Sequence, residues 1–347
     1  MGKYVLKRIG LALLTAFLVL SITFILVKLL PYSRPIGGDQ QQIAYFDKQY
    51  SLGYVYRFDW ARDEKEFGEA LYKSPVENGR AFYYYNVPPL RQYANWLKNI
   101  VTKWDWGYSK SYQPNVSAGV IISQRIGYSM RLNVIAALIS IPSGILLGIW
   151  AALKKNTMTD HLISTMVMVF ISIPSFVLIT FVLRIFAYRL GWLPSSWPAD
   201  TATLATKVKG YIIPVACLAF GPICGYCRQV RAELCEVLES DYLLLARTKG
   251  LTRRQAIVRH ALKNSMVPIF PSILAEILFI FGGSMILEQL YSIPGIGRLF
   301  VVSMNYKDWD ILFVDMAIFT TFGLMAGILL DLSYGFVDPR IRMGAKK

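Results

Sequence analysis

The chain has 347 residues, of which 54% are hydrophobic and only 17% charged, with a formal net charge of +15. That much apolar surface is too much for one soluble core, so the composition excludes an ordinary globular domain and points to a bilayer. The excess of Lys and Arg then reads as attraction to anionic lipid and obedience to the positive-inside bias, which sets nucleic-acid binding aside.

A helix needs about 20 apolar residues to cross roughly 30 Å of hydrocarbon. The first run without a charge covers residues 9–27, behind Lys3, Lys7 and Arg8. It is longer than a usual signal-peptide core, and no small-x-small cleavage site follows Pro31, so residues 1–30 are expected to remain as an N-terminal transmembrane helix. From 31 to 124 the chain turns polar and aromatic, with Tyr83, Tyr84, Tyr85, Trp96, Trp104 and Trp106 and no run long enough to cross. This is expected to be a large extracytoplasmic insertion. Part of it should fold, since "EKEFGEALYK" has helical spacing and "PPLRQYANWLKNIVTKW" reads as an amphipathic helix after a Pro start. Its surface suits either docking of an external partner or a solvated cap.

Beyond the insertion, uncharged runs cover residues 132–153, 162–183 and 210–227, and two more tolerate one acid each: 265–287 around Glu276 and 311–330 around Asp315. The expected fold is therefore all-α, an integral membrane protein with six transmembrane helices. Pro142, Pro174, Pro214, Pro222, Pro268 and Pro271 each remove a backbone hydrogen bond in or beside a crossing, while Gly144, Gly148, Gly282, Gly283, Gly323 and Gly327 allow close backbone approach. Such helices can bend and slide. With six crossings, the N-terminus, Lys154, Lys155, the segment 228–264 and the tail bases Arg340, Arg342, Lys346 and Lys347 share one side. By the basic-residue bias that side is the cytoplasm, so both termini are expected inside.

Acids within lipid-spanning runs are costly and usually face a wet cavity or a partner. Glu276, near mid-run, is the leading pathway candidate, with a hydrogen-bonded structural acid as the alternative; Asp315 and Asp331 read as interfacial. Cys217, Cys224, Cys227 and Cys235 include one Cys-x-x-Cys, but with no second pair and only His161 and His260 elsewhere, packing is the expected role and no metal is expected. The segment "DYLLLARTKGLTRRQAIVRHALKN", residues 241–264, carries six Lys and Arg plus His260 between membrane-length runs. It reads as a short surface helix, a turn at Gly250, and a second helix leading into the fifth crossing.

That segment, with "RHALKNSMVP", "GGSMILEQLYSIPGIGRL" and the closing "YGFVDPRIR", resembles the permease subunits of peptide-class ABC importers, the oligopeptide, dipeptide and nickel group, and specifically the B-type member of each pair. "SIPSGILLGIWAALKKNTMTD" and "SIPSFVLITFVLRIFAYRLGWLPSS" are similar to the same family's second and third crossings. The likeness implies the type I ABC importer permease fold, with a five-helix core over 125–342, a coupling loop at 228–264 and a tail at 343–347. It also implies a bacterial or archaeal plasma membrane. Partners would be a second permease subunit, two ATP-binding subunits and an extracytoplasmic solute-binding protein, with peptides or peptide-like solutes as cargo. Asp241, Tyr242, Ala246, Arg247, Lys249, Gly250 and Leu251 would seat on the ATPase, with His260 and Asn264 opening the return helix. Glu276, Gly282, Gly283 and Glu288 are the candidate pathway residues.

The chain departs from the wider importer signature, Glu-Ala-Ala-x3-Gly-x9-Ile-x-Leu-Pro, with Leu244 and Leu245 where Glu and the first Ala stand and Lys263 where Pro stands. It contains no GxxxxGK[ST], so it has no phosphate-cradling loop, and ATP-Mg is expected to be used only by partners, with no cofactor bound here. It is expected to be no enzyme: an intramembrane catalyst would need clustered titratable groups at membrane depth. The remaining alternative is a channel of symmetric copies without ATP coupling.

Overall fold

The computed structural model describes residues 2–28, 30, 34–76 and 81–337. The tail bases Arg340 to Lys347, the last five residues of the "YGFVDPRIR" motif and Pro31 lie outside the described residues.

Helix α1 spans Gly2–Lys28, and α2 spans Asp39–Ser51. Strands β1 (Val55–Phe58), β2 (Tyr72–Lys73) and β3 (Tyr83–Asn86), with the one-turn α3 (Glu64–Phe67) between the first two, form an antiparallel sheet of order β1-β3-β2. "EKEFGEALYK" thus does not make the expected helix: α3 stops at Gly68, whose φ of 74° leaves the helical region, and the rest pairs as β2. The amphipathic helix after the Pro pair forms as expected, as α4 (Pro89–Lys103), opened by Pro in its first turn and ended by Trp104 in the left-handed region.

Helix α5 (Ala118–Leu153) runs unbroken past residue 124 and through Pro142. The third crossing differs from the expected continuous run: α6 (Met158–Ile171) and α7 (Ser175–Val182, extended by a π-helix Leu183–Arg189) meet at a 100° bend. Pro174 sits at the break, lacking an N–H and disfavouring helical backbone at Ile173. Helix α8 (Leu204–Leu238) passes through Pro214 and Pro222 without interruption.

Then come α9 (Asp241–Thr248), α10 (Arg253–Ala256), a π-helical segment Ile257–Ala261, α11 (Leu262–Ser265) and α12 (Phe270–Leu278), which ends in a 3-10 turn Phe279–Phe281. Expected as one run over 265–287, the fifth crossing is instead a pair, Arg253–Ser265 and Phe270–Phe281, bent by 53° around Pro268 and Pro271. Gly282 is extended, and Leu287 belongs to a separate helix, α13 (Met285–Leu290). Helices α14 (Ile296–Asn305) and α15 (Trp309–Val337) complete the chain. Among the described residues four helices are continuous and apolar enough to cross a membrane, and each bent pair counted as one span gives six.

The chain forms two compact units. One comprises Leu6–Gly127 with Arg298–Thr321, and the other comprises Tyr128–Gly297 with the segment beginning at Phe322. The first is built on aromatic rings: Phe24, Trp96 and Phe313 meet at centroid distances of 5.0 to 5.9 Å, and Phe46 stacks on Tyr72 beneath the sheet at 5.0 Å. Asp308 receives the Ser109 hydroxyl at 2.7 Å and the consecutive backbone N–H groups of Lys110, Ser111 and Tyr112 at 2.9 to 3.1 Å, which ties the loop before α5 to the start of α15. Asp315, expected at the interface, is fully buried about two turns further along.

The second unit packs backbone against backbone. A Cβ on Gly144 would come within 2.6 Å of the Tyr226 Cβ, and one on Gly148 within 2.7 Å of the Val230 Cβ, so α5 and α8 touch along this small-xxx-small stripe. Cys224 and Cys227 are buried against Val167.

Candidate functional site

Helix α9 is amphipathic on a small scale. Leu243 is buried among Ala152, Leu234, Cys235, Ala256 and Ala261, while Tyr242, Leu244 and Leu245 stand 40%, 61% and 56% exposed beside exposed Asp241 and Arg247. Exposed apolar side chains grouped beside charges mark protein or membrane contact surfaces. Gly250 ends the helix with a φ of 92°, a conformation β-branched residues rarely adopt. Thr252 restarts the chain with a capping box, its hydroxyl accepting from the Gln255 N–H while the Gln255 side chain accepts from the Thr252 N–H. The expected helix, turn and return helix are therefore present, with His260 exposed in the π-helical segment and Asn264 exposed in α11. A cleft of about 340 Å³ lies between the two arms, lined by Glu239, Asp241, Leu244, Arg247, Arg253 and Ile257.

Two ion pairs fix the helices that carry this segment. Arg231 on α8 grips Asp160 on α6 through Nε at 2.5 Å and Nη2 at 2.8 Å, and the same carboxylate, fully buried, accepts from the Asn156 N–H and the Ser164 hydroxyl. Lys155 pairs with Glu239 just before α9, and that carboxylate raises the Lys155 pKa above its ordinary value. Neither Asp160 nor Arg231 stands out in the sequence as a site residue. The available signal was a single acid at the start of an apolar helix, which must find a base.

The pathway candidates fall at two places. Glu276, on the half-buried face of α12, accepts the Ser140 hydroxyl of α5 at 2.6 Å, so its carboxylate is hydrogen-bonded as well as partly accessible. Asn133 donates to the carbonyls of Ile280 and Gly282, capping the broken end of that helix. Glu288 is 2% exposed and committed to the fold: Oε1 accepts from the Ser129 hydroxyl at 2.7 Å and from the Ser284 N–H at 3.2 Å. Ser129 in turn accepts from the Ile296 N–H at 3.0 Å. Gly283 lies so close to Gly297 that an added Cβ would sit 2.4 Å from its nitrogen. The two glycines let the "IPGIG" loop close on the turn before α13, and Ser129, Asn133 and Ser140, spaced along one helix, are the partners that sequence reasoning missed.

Residues 144–343 match the family model described as "Binding-protein-dependent transport system inner membrane component". The dipeptide transport system permease protein DppB of Bacillus subtilis (strain 168) is 30% identical over 346 residues, covering 100% of both chains. The oligopeptide transport system permease protein OppB of Salmonella typhimurium is 29% identical over 343 residues, covering 99% of this chain and 100% of that one. Among solved structures, one titled as an amino acid ABC transporter with histidines aligns at a TM-score of 0.47 and 17% identity, over 62% of this chain and 92% of that one. With its membrane-length helices and the motifs of the importer permeases, the chain belongs to the family of binding-protein-dependent transport system inner membrane components.

Proposed function

We propose that this chain is the translocating permease subunit of an ATP-driven peptide importer, coupled to partner ATPases through α9. The observation that carries the reading is the exposed face of α9, with Tyr242, Leu244, Leu245 and Arg247 presented on a helix whose one buried leucine, Leu243, packs against α8 and α10. Force applied there passes directly into the two crossings that the segment joins. The peptide cargo is supported by the dipeptide and oligopeptide permeases to which the chain is similar over its full length.

In this mechanism the ATPase clefts approach one another on binding ATP-Mg and draw the seated helix with them. The broken fifth crossing and α8 follow, and the cavity shared with a second permease chain opens outward to accept solute from an external binding protein. Hydrolysis reverses the motion. A contact alone would not suffice: the α9 face must bind the two ATPase states with different free energies. Asp241, Ala246, Lys249, Gly250 and Leu251 complete the seat, and His260 and Asn264 begin the return helix. Both termini are assigned to the cytoplasm, residues 31–124 to the external side and 125–342 to the permease core. This chain binds no cofactor of its own. Glu276 is assigned to the pathway, where a carboxylate beside Ser140 suits the cationic end of a passing peptide; Gly282, Gly283 and Glu288 shape the turn at the end of that crossing. Nothing in the geometry favours the channel alternative.

Arg247→Glu and Gly250→Val test the coupling. Gly250 has open space around it, so valine there acts through backbone strain of about 1–2 kcal/mol rather than a clash. Both variants are expected to insert normally and to lose uptake at least about tenfold while the ATPases still hydrolyse, a coupling loss of about 1.4 kcal/mol. Unchanged peptide uptake in both would refute the proposal.

A further inference from the structure

We propose that the unit built on the sheet holds a binding site for a small zwitterion of free-amino-acid size, in the cavity framed by Gln49, Gln92, Lys28, Lys110 and Asp310. The cavity has a volume of about 120 Å³, with apolar walls that include Phe46 and Phe313. A protein cavity of about 150 Å³ accepts benzene, so this one is of the right order for a six-heavy-atom solute such as alanine.

Two buried amides carry the argument. Gln92 is 1% exposed, and its Nε2 donates to Asn86 Oδ1 at 2.5 Å and to the Val87 carbonyl at 2.7 Å, which fixes the amide and leaves Oε1 with no partner. Gln49 is 7% exposed, and its Nε2 is likewise without one. One orphan acceptor and one orphan donor thus belong to side chains that line the same cavity, and buried polar groups are nearly always satisfied. The charges around them point the same way. Asp308 spends its carboxylate on the Ser109 hydroxyl and three backbone N–H groups. Asp310 accepts from the Tyr108 N–H through Oδ2 alone and keeps acceptor capacity beside the ammonium groups of Lys28 and Lys110. Burial holds Lys110 below the usual lysine range even with both aspartates near, so an incoming carboxylate is a further stabilising partner. A carboxylate therefore fits toward the lysines and Gln49, and an ammonium toward Gln92 Oε1 and Asp310. A plain anion would satisfy only half of these groups.

Ligand-observed NMR on the full chain in detergent micelles tests this, with L-alanine, propionate and phosphatidylethanolamine as probes. The expected result is saturable binding of L-alanine, with propionate about tenfold weaker because it leaves Gln92 Oε1 unpaired. Binding should be lost in Gln49→Leu, which leaves the Asp308 cradle untouched, and weakened about tenfold in Lys110→Met should the first variant fold poorly. Three results would overturn the proposal: no alanine binding by the folded chain together with a higher melting temperature for Gln49→Leu, which marks a cavity holding water alone; equal binding of alanine and propionate; or displacement by the phospholipid with no response to alanine.

Discussion

The two compact units solve the burial problem by different means. The unit of α5 to α13 brings helices together through residues without side chains: Gly144 and Gly148 against α8, and Gly283 against Gly297. The unit holding α1 to α4 and the start of α15 uses large rings, Phe24, Trp96, Phe313, Phe46 and Tyr84, and gathers a loop around the Asp308 carboxylate. Helices that meet on glycine can slide and bend with little repacking, whereas interdigitated rings and a fourfold-satisfied carboxylate resist motion. The comparison assigns movement to the first and rigidity to the second.

The sharpest way to break the comparison is at the buried carboxylate that pins α6 to α8 in the mobile unit. Arg231→Ala leaves the fully buried Asp160 carboxylate without its charge partner, and a loss of roughly 3 kcal/mol is expected, read as a lowered thermal midpoint in detergent. Little change would show that the pair does not hold α6 to α8. Next in size is Gly148→Leu, which forces α5 and α8 apart where the added Cβ already lies 2.8 Å from the Cys227 carbonyl; about 2 kcal/mol of destabilisation is expected in the same assay. If the leucine variant is as stable as the parent, close glycine packing is not what joins the helices.

The smallest effect sharpens the rigid side. Burial raises the pKa of Tyr54 and Tyr84 above 10.0, helped at Tyr54 by the charge of Asp310 and at Tyr84 by its hydrogen bond to Asp47. In alkali the unfolded chain releases these phenolic protons while the native one keeps them, so the unfolded state binds fewer protons and stability falls as pH rises. Lys110 works in the opposite sense, since its lowered pKa adds stability as pH climbs toward 10.5, beyond which that contribution is complete. Above 10.5 Lys110 no longer offsets the loss from the tyrosines, and Tyr54→Phe should flatten the decline in melting temperature with pH. An unaltered slope would place the alkaline sensitivity elsewhere.

How much of this was legible in the sequence follows from the range of the interactions. The six apolar runs, the amphipathic α4 and the helix-turn-helix of 241–264 were readable because each rests on local periodicity and on Pro, Gly or a capping box at its ends. The break at Ser172 to Pro174 was readable as a proline but not as a 100° bend, because Pro142, Pro214 and Pro222 leave their helices uninterrupted. What stops a helix at one proline and not another is the packing around it. The tract after Glu64 misled because its helical spacing competes with strand pairing to Tyr83 and Tyr84, which lie further along the chain. Least legible were Asp160 with Arg231 and Asp308 with the 109–112 loop, joined across 71 and nearly 200 residues, the latter mostly through backbone N–H groups that no side-chain pattern announces.

The central claim is that α9 is where an ATP-hydrolysing partner engages these helices. The native cysteines are all buried, so a cysteine placed at exposed Leu244 is free to report its neighbours alone. In the intact assembly purified from membranes, cross-linking from Leu244→Cys should join this chain to an ATP-binding subunit, with a yield that changes between the nucleotide-free and ATP-bound states. A position that cross-links to no other protein in either state would contradict the account.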